Sequence, residues 1–339
     1  MSIHVDPTPG VEGKTDKPAW RDKKRYMWLW GLFAPTGLFT IGLPLIWALN
    51  QLGWHALAQV PVWLGPALVY VIIPLADLLF GPDGDNPPDE VMEYLENDKY
   101  YRYLTYAYLP FQYATLVFAC YLMAADDLGW LGFEGHGLYW YNKVGLALTV
   151  GVVSGIGINT AHELGHKKVN LERWLSRIAL APSFYGHFYI EHNRGHHVRV
   201  ATPEDPASSR VGETFWGFWP RTVWGGLTSS WNLEKTRLAR LGKGPWTIRN
   251  EVLSAWLMSV ALYAVLIGVF GWELAPYLVL QAVIGFSLLE AVNYIPYPIE
   301  EVNLDFEVLG PMPGNPEMVQ WLCSPNFVGT QAPSRLSLH

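Results

Sequence analysis

The sequence predicts an all-helical polytopic membrane protein: six transmembrane helices, with a cytoplasmic histidine-rich segment between the fourth and the fifth. Three observations predict it. Asp, Glu, Lys and Arg make up 16% of the 339 residues, against about 25% in an ordinary soluble domain. None of the four occurs from Tyr26 to Ala76. The Lys and Arg residues that remain gather on one side of the apolar runs. Aromatic residues reach 14%, with 17 Trp and 18 Tyr, the side chains favoured where protein meets the membrane–water boundary.

Taken in order, residues 1–25 form a basic tail that holds Lys14, Lys17, Arg21, Lys23, Lys24 and Arg25. The charge-free stretch that follows is roughly fifty residues long, and a span needs about twenty, so it divides at Asn50-Gln51-Leu52-Gly53-Trp54-His55 into a hairpin of two helices, Trp28–Leu49 and Val60–Phe80. An apolar run this long is not a removable signal peptide, which is short and ends at a small-residue cleavage site. Residues 81–88, with Asp83, Asp85, Pro87 and Pro88, read as a solvated turn before a short amphipathic helix over 90–101. Further charge-free runs at Tyr103–Ala125, Val144–Ala161, Val252–Trp272 and Leu274–Leu289 supply spans three to six. Because positive residues are retained on the cytoplasmic side, both termini and the long connection over 161–251 are placed there, and Lys143 alone falls opposite. The organisation expected is a tail over 1–25, a membrane body over 26–294 and a proline-rich tail over 295–339. A net charge of −7 argues against a nucleic-acid partner. Cys120 and Cys323 are too few for a disulfide framework or a thiolate cluster.

A connection of about ninety residues is far beyond the 12–15 at which structureless loops become uncommon, so the chemistry is expected there. Six of the ten histidines lie in it: His162, His166, His187, His192, His196 and His197. His162 and His166 are four apart directly after span four, so a helix that continues past the bilayer projects both from one face. His192 and His196 repeat the spacing, and His197 adds a neighbour on an adjacent face. All-imidazole sites suit iron, zinc, copper or nickel. Five histidines exceed the three protein ligands of a catalytic zinc, and two iron ions are the economical redox-active reading. Glu163, Glu191 and Asn193 are candidates to orient the rings, while His187 is a ligand, an orienting donor or a packed side chain.

The blocks His162-Glu163-Leu164-Gly165-His166-Lys167, Gly186-His187-Phe188, Glu191-His192-Asn193-Arg194-Gly195-His196-His197 and Ala201-Thr202-Pro203-Glu204-Asp205-Pro206-Ala207 resemble the integral-membrane alkane 1-monooxygenases, relatives of the membrane fatty-acid desaturases and hydroxylases. The resemblance covers about Asp22 to Tyr294. It implies two non-haem irons held by His162, His166, His192, His196 and His197, and hydroxylation of the terminal carbon of medium-chain alkanes with O2. Electrons then come from rubredoxin and its NADH-dependent reductase, and the alkane enters from the bilayer between spans.

The resemblance breaks after the sixth span. The family carries Asn-Tyr-x-Glu-His-Tyr-Gly there, and this chain reads Asn293-Tyr294-Ile295-Pro296-Tyr297-Pro298-Ile299, with no later His-x-x-His-His box before His339. The expected cause is a frame shift, or a truncation joined to an unrelated ending, with impaired activity as the consequence. Glu300, Glu301, Asp305 and Glu307 are alternative oxygen ligands. Two other readings use the same residues: a zinc metallopeptidase built on His162-Glu163-x-x-His166, and a catalytically inactive membrane protein of the same fold whose metal is structural.

Overall fold

The computed structural model describes residues 22–23, 25–80, 95, 98–167, 169–210 and 212–294. The acidic turn over 81–88, the proline-rich tail with Pro296 and Tyr297, and the acidic residues of that tail lie outside the described residues, as does nearly all of the basic N-terminal tail. Among the described residues every regular element is helical, with no strand beyond an isolated bridge between Leu128 and Phe133.

Among the described residues six helices are long and apolar enough to cross a membrane: α1 Arg25–Gln51, α2 His55–Ala76, α3 Lys99–Ala124, α4 Trp140–His166, α8 Glu251–Phe270 and α9 Trp272–Tyr294. Three further helices lie between α4 and α8. They are α5 Asn170–Leu180, α6 (Phe188–Glu191, a π turn over His192–His196, then His197–Arg199) and α7 Phe215–Arg240. The spans expected from the charge-free runs are all present, with shifted ends. Residues 99–101, expected in a separate amphipathic helix, instead open α3, where the Asp98 carboxylate caps by accepting from the Tyr100 N–H.

Neither helix of the first hairpin is a uniform α-helix. Each contains a π turn, Leu38–Gly42 and Leu68–Ile72, that ends two residues before a proline, Pro44 and Pro74. Proline withdraws one N–H from the ladder, and a wider turn redistributes the bonds that remain.

Span four is the pillar of the bundle. Of its most apolar window 78% is buried, against 22–50% in the other five. Small residues let its neighbours approach: a Cβ on Gly151 would stand 2.7 Å from Ile284 Cβ, and one on Gly155 would stand 2.9 Å from the Gly285 carbonyl oxygen, both on α9. Close backbone contact through small residues is the usual adhesive between helices in lipid, where no hydrophobic driving force separates helix from solvent. Helix α5 then folds back beside the end of α4. The Ser176 hydroxyl donates to the Ala161 carbonyl at 2.6 Å, and buried Glu172 pairs with Arg102 of α3 at 2.8 Å. The far end of α4 is therefore held rigidly where the histidines begin.

Candidate metal centre

The α4 helix continues without a break through His166, so His162 and His166 share a face as the four-residue spacing predicts. Their Nε2 atoms are 3.0 Å apart. Helix α6 brings a second pair to the same point: His192 Nε2 lies 3.3 Å from His166 Nε2, and His197 Nε2 lies 2.9 Å from His192 Nε2. The donor atoms of His162, His166, His192 and His197 all fall within 4.8 Å of one another. His162 is buried and His192 half-buried, while His166 and His197 are exposed, so the group opens to water on one side.

Hydrogen bonding alone cannot satisfy this arrangement. Each Nε2 offers either one N–H or one lone pair, so the run His162–His166–His192–His197 accommodates two hydrogen bonds among its three contacts. With the two outer contacts bonded, the His166–His192 contact has no proton or lone pair left to make a bond of its own. A cation at the centre accepts every lone pair at once, and ligands about 2.1 Å from an ion stand roughly 3 Å from their neighbours, which is the spacing present. The protonation states agree. Burial first, then the neighbouring imidazoles, push His192 well below the ordinary imidazole range, and burial lowers His197. Both are neutral at neutral pH, the form that ligates. Four imidazoles in one group fit a transition metal, and all of them lie among the five histidines expected from the sequence.

The fifth expected ligand, His196, stands apart from this group. Its ring stacks on His192 at a centroid distance of 5.4 Å, and its Nδ1 lies 2.8 Å from Asp205 Oδ2. The reason is the π turn over His192–His196, whose i→i+5 hydrogen bond runs from the His197 N–H to the His192 carbonyl. In that turn His197, five residues on, comes to the His192 nitrogen. Asp205 is fully buried, and its Oδ2 also accepts from the Ser208 hydroxyl at 2.5 Å, while Oδ1 accepts from the Ala207 N–H. Against the effect of burial, these hydrogen bonds hold the carboxyl below its ordinary value. The carboxylate is thus ionised, Nδ1 of His196 donates to it, and Nε2 keeps its lone pair.

Of the candidates to orient rings, Glu163 does so, with Oε1 3.3 Å from His162 Nδ1. That contact engages the carboxylate which a peptidase needs as a general base. Glu191 does not touch a ring: it pairs with Arg199 at 2.7 Å across Gly195, where a Cβ would stand 2.4 Å from Glu191 Oε1. Asn193 donates to the Tyr189 carbonyl. His187 is buried against Tyr185, neither ring nitrogen has a partner among the described residues, and burial lowers it to about 4. It lines a cavity of about 20 Å³ together with His192, His196, Glu290 and Asn293, large enough for one water molecule. Glu290, which the sequence reading did not single out, is buried there and accepts from the Tyr185 and Thr222 hydroxyls and the Asn293 amide.

The fatty acid desaturase family profile matches residues 138–296, the part of the chain that holds all of these histidines. The alkane 1-monooxygenase 2 of Pseudomonas aeruginosa is 35% identical over 296 residues, 85% of this chain and 73% of that protein. The chain belongs to the alkane 1-monooxygenase family. Other family members align as well: the alkane 1-monooxygenase of Pseudomonas putida is 41% identical over 280 residues, and that of Acinetobacter baylyi 43% over 274. These alignments take in 82% and 81% of the chain and 65% and 64% of the relatives, so the chain spans just under two thirds of their length. A profile for the type IV pilus assembly protein PilM matches residues 287–326, most of which lie outside the described residues.

Proposed function

We propose that the chain is a non-haem iron monooxygenase that hydroxylates the terminal carbon of medium-chain alkanes. In this reading it uses O2 and electrons delivered by rubredoxin from an NADH-dependent reductase. The observation that carries the reading is the convergence of four imidazole nitrogens at the end of the most buried span, in a member of this family. His162, His166, His192 and His197 hold one iron, and His196 presents its Nε2 to a second. Bound iron supplies the reductive activation of O2 and the insertion of one oxygen atom into a C–H bond, the other leaving as water.

The protein's own groups do the rest. Glu163 and Asp205 fix ring orientation through Nδ1 of His162 and His196. Phe188, stacked on His192 at 4.9 Å, and buried Tyr185 and Ile190 give the inner side of the group an apolar lining. An alkane dissolved in the bilayer arrives between spans and presents its end to that side. The His-x-x-His-His box of the family has no counterpart in residues 295–338, and we propose that this chain binds its second iron weakly and turns over slowly in consequence. In this reading the protein lies in the inner membrane with its histidine side toward the cytoplasm, an orientation that the excess of Lys and Arg on that side favours.

The test is iron and zinc content per chain in detergent, followed by octane hydroxylation with rubredoxin, its reductase and NADH. Iron bound by the wild type and lost in His192→Ala, with 1-octanol as product, supports the reading. A chain that binds zinc alone and forms no octanol refutes it.

A further inference from the structure

Helix α7 is not a span, yet both of its halves are fastened to the ends of spans. Near its start, Trp219 Nε1 donates to Ser287 Oγ at 2.9 Å, and Phe215 and Phe218 pack on Tyr294, all on α9. Near its end, Glu234 accepts from the Glu251 N–H at the start of α8, and Arg237 donates to the Arg249 carbonyl. The helix therefore runs along the histidine-side rim of the bundle, from the close of span six to the opening of span five, at the level where acyl chains give way to headgroups. Its exposed stripe changes character along that path. Trp216, Pro220 and Trp224 are exposed in the first half, and Thr228, Asn232 and Thr236 in the second. Trp246 and Ile248, in the turn that enters α8, are 80% and 89% exposed. Exposed Trp in such positions marks the membrane boundary.

Between the second half of α7 and the Arg194–Pro206 segment lies an open groove of about 610 Å³, walled by Arg194, Arg199, Arg237 and Arg240. Volumes of 300–1,000 Å³ are typical of ligand sites. Three of these guanidinium groups are anchored from the inward side, to Glu191, Glu234 and Glu251. Glu234 is 0% exposed and Glu191 5%, so the acids face the protein and the bases face the groove. Arg240 is exposed, with no acidic partner among the described residues. Thr228 and Asn232 add neutral hydrogen-bonding groups, and Glu204 is the one acid in the wall.

We propose that this groove binds the phosphate headgroup of an anionic phospholipid of the adjacent leaflet, with its acyl chains running past Trp224. Basic recesses at the headgroup level beside spans take such lipids, and the aromatic stripe continuous with the groove favours a lipid over the face of an acidic protein.

The test is native mass spectrometry of the full chain in mixed micelles holding equal phosphatidylglycerol and phosphatidylcholine. Preferential retention of one phosphatidylglycerol is expected. Arg240→Gln, at an exposed position, should weaken it about five-fold, the contribution of one arginine at a membrane surface. Asn232→Trp, which fills the groove and leaves every charge, should abolish it. Unchanged helical circular dichroism in both variants separates loss of the groove from loss of the fold. Equal retention of the two lipids overturns the proposal, as does phosphatidylglycerol retention indifferent to both variants. Displacement by millimolar inorganic phosphate assigns the groove to a free anion and also overturns it. Rubredoxin binding that Arg240→Gln abolishes, with phosphatidylglycerol retained, makes the groove a protein dock instead.

Discussion

Replacing Asp205 with Asn tests whether the metal centre depends on a carboxylate behind it. The wild-type carboxylate is fully buried and accepts from His196 Nδ1 at 2.8 Å, the Ser208 hydroxyl at 2.5 Å and the Ala207 N–H at 3.2 Å. Asparagine keeps one oxygen, enough for the Ala207 N–H. It places an NH2 group where Oδ2 received the other two. Each lost hydrogen bond to a charged acceptor contributes about 1.5 kcal/mol or more, so the variant should lose about 3 kcal/mol of stability. The larger effect is on the imidazole. Facing a donor, His196 Nδ1 becomes the acceptor and its proton moves to Nε2, the nitrogen offered to metal. Removal of such a group behind a ligand lowers metal affinity about ten- to a hundred-fold. The assay is iron bound per chain across a chelator titration, with thermal unfolding in the same detergent. Asp205→Glu, which keeps the charge, should recover part of the affinity. An Asp205→Asn protein with wild-type iron binding and an unshifted melting curve refutes the assignment of His196 and of its orienting carboxylate.

Other perturbations reach the supports of the site. Glu234 is 0% exposed and accepts from Arg194, Arg237 and the Glu251 N–H, and against burial those donors hold its carboxyl below the ordinary value. Glu234→Gln should cost about 3 kcal/mol, the low end for a broken buried pair because both arginines are partly exposed. Its pH dependence has a definite sign: the stabilisation is complete above the unfolded value of about 4.3 and disappears as pH falls through the lower folded value. Melting curves between pH 7 and 3 should therefore show an acid-side loss in the wild type that the variant lacks. Gly195→Ala puts a methyl group 2.4 Å from Glu191 Oε1 and 2.6 Å from Arg199 Nη2, forcing that pair apart inside the π turn. Iron binding should fall although no ligand is changed, and a fully metallated Gly195→Ala protein would contradict the role given to the turn.

What the sequence discloses and what it hides follow from the range of each interaction. The six spans are legible because absence of charge over a bilayer's thickness is a property of each segment alone, and α4 carries its histidines on one face because α-helical spacing is regular. The split between His196 and His197 is hidden. It depends on a π turn that leaves no compositional mark, and on Asp205, nine residues away along the chain and brought near by a loop fold. An irregularity in each helix of the first hairpin was foreseeable from Pro44 and Pro74, its form as a π turn less so. Glu290 escaped notice because a single acid near the end of an apolar run looks like a boundary, whereas the bundle buries it among three donors. Asp205 was in view, within the motif Ala201–Ala207, but nothing in spacing assigns it to a particular ring.

The length of α4 has one more consequence. Its 27 residues extend about 40 Å at 1.5 Å per residue, while the hydrocarbon slab is about 30 Å thick. The surplus is about two turns; where it falls at the histidine end it takes in His162 and His166, and the two nitrogens then stand just clear of the acyl chains. Bilayer thickness thereby becomes a control variable: a thicker membrane draws His162 into the hydrocarbon and starves the outer face of water, and a thinner one lifts the pair into bulk solvent. Vesicles prepared from lipids of stepped chain length should give a single optimum in iron uptake rate, and a rate independent of chain length would show that the donors keep their depth by tilting of the bundle.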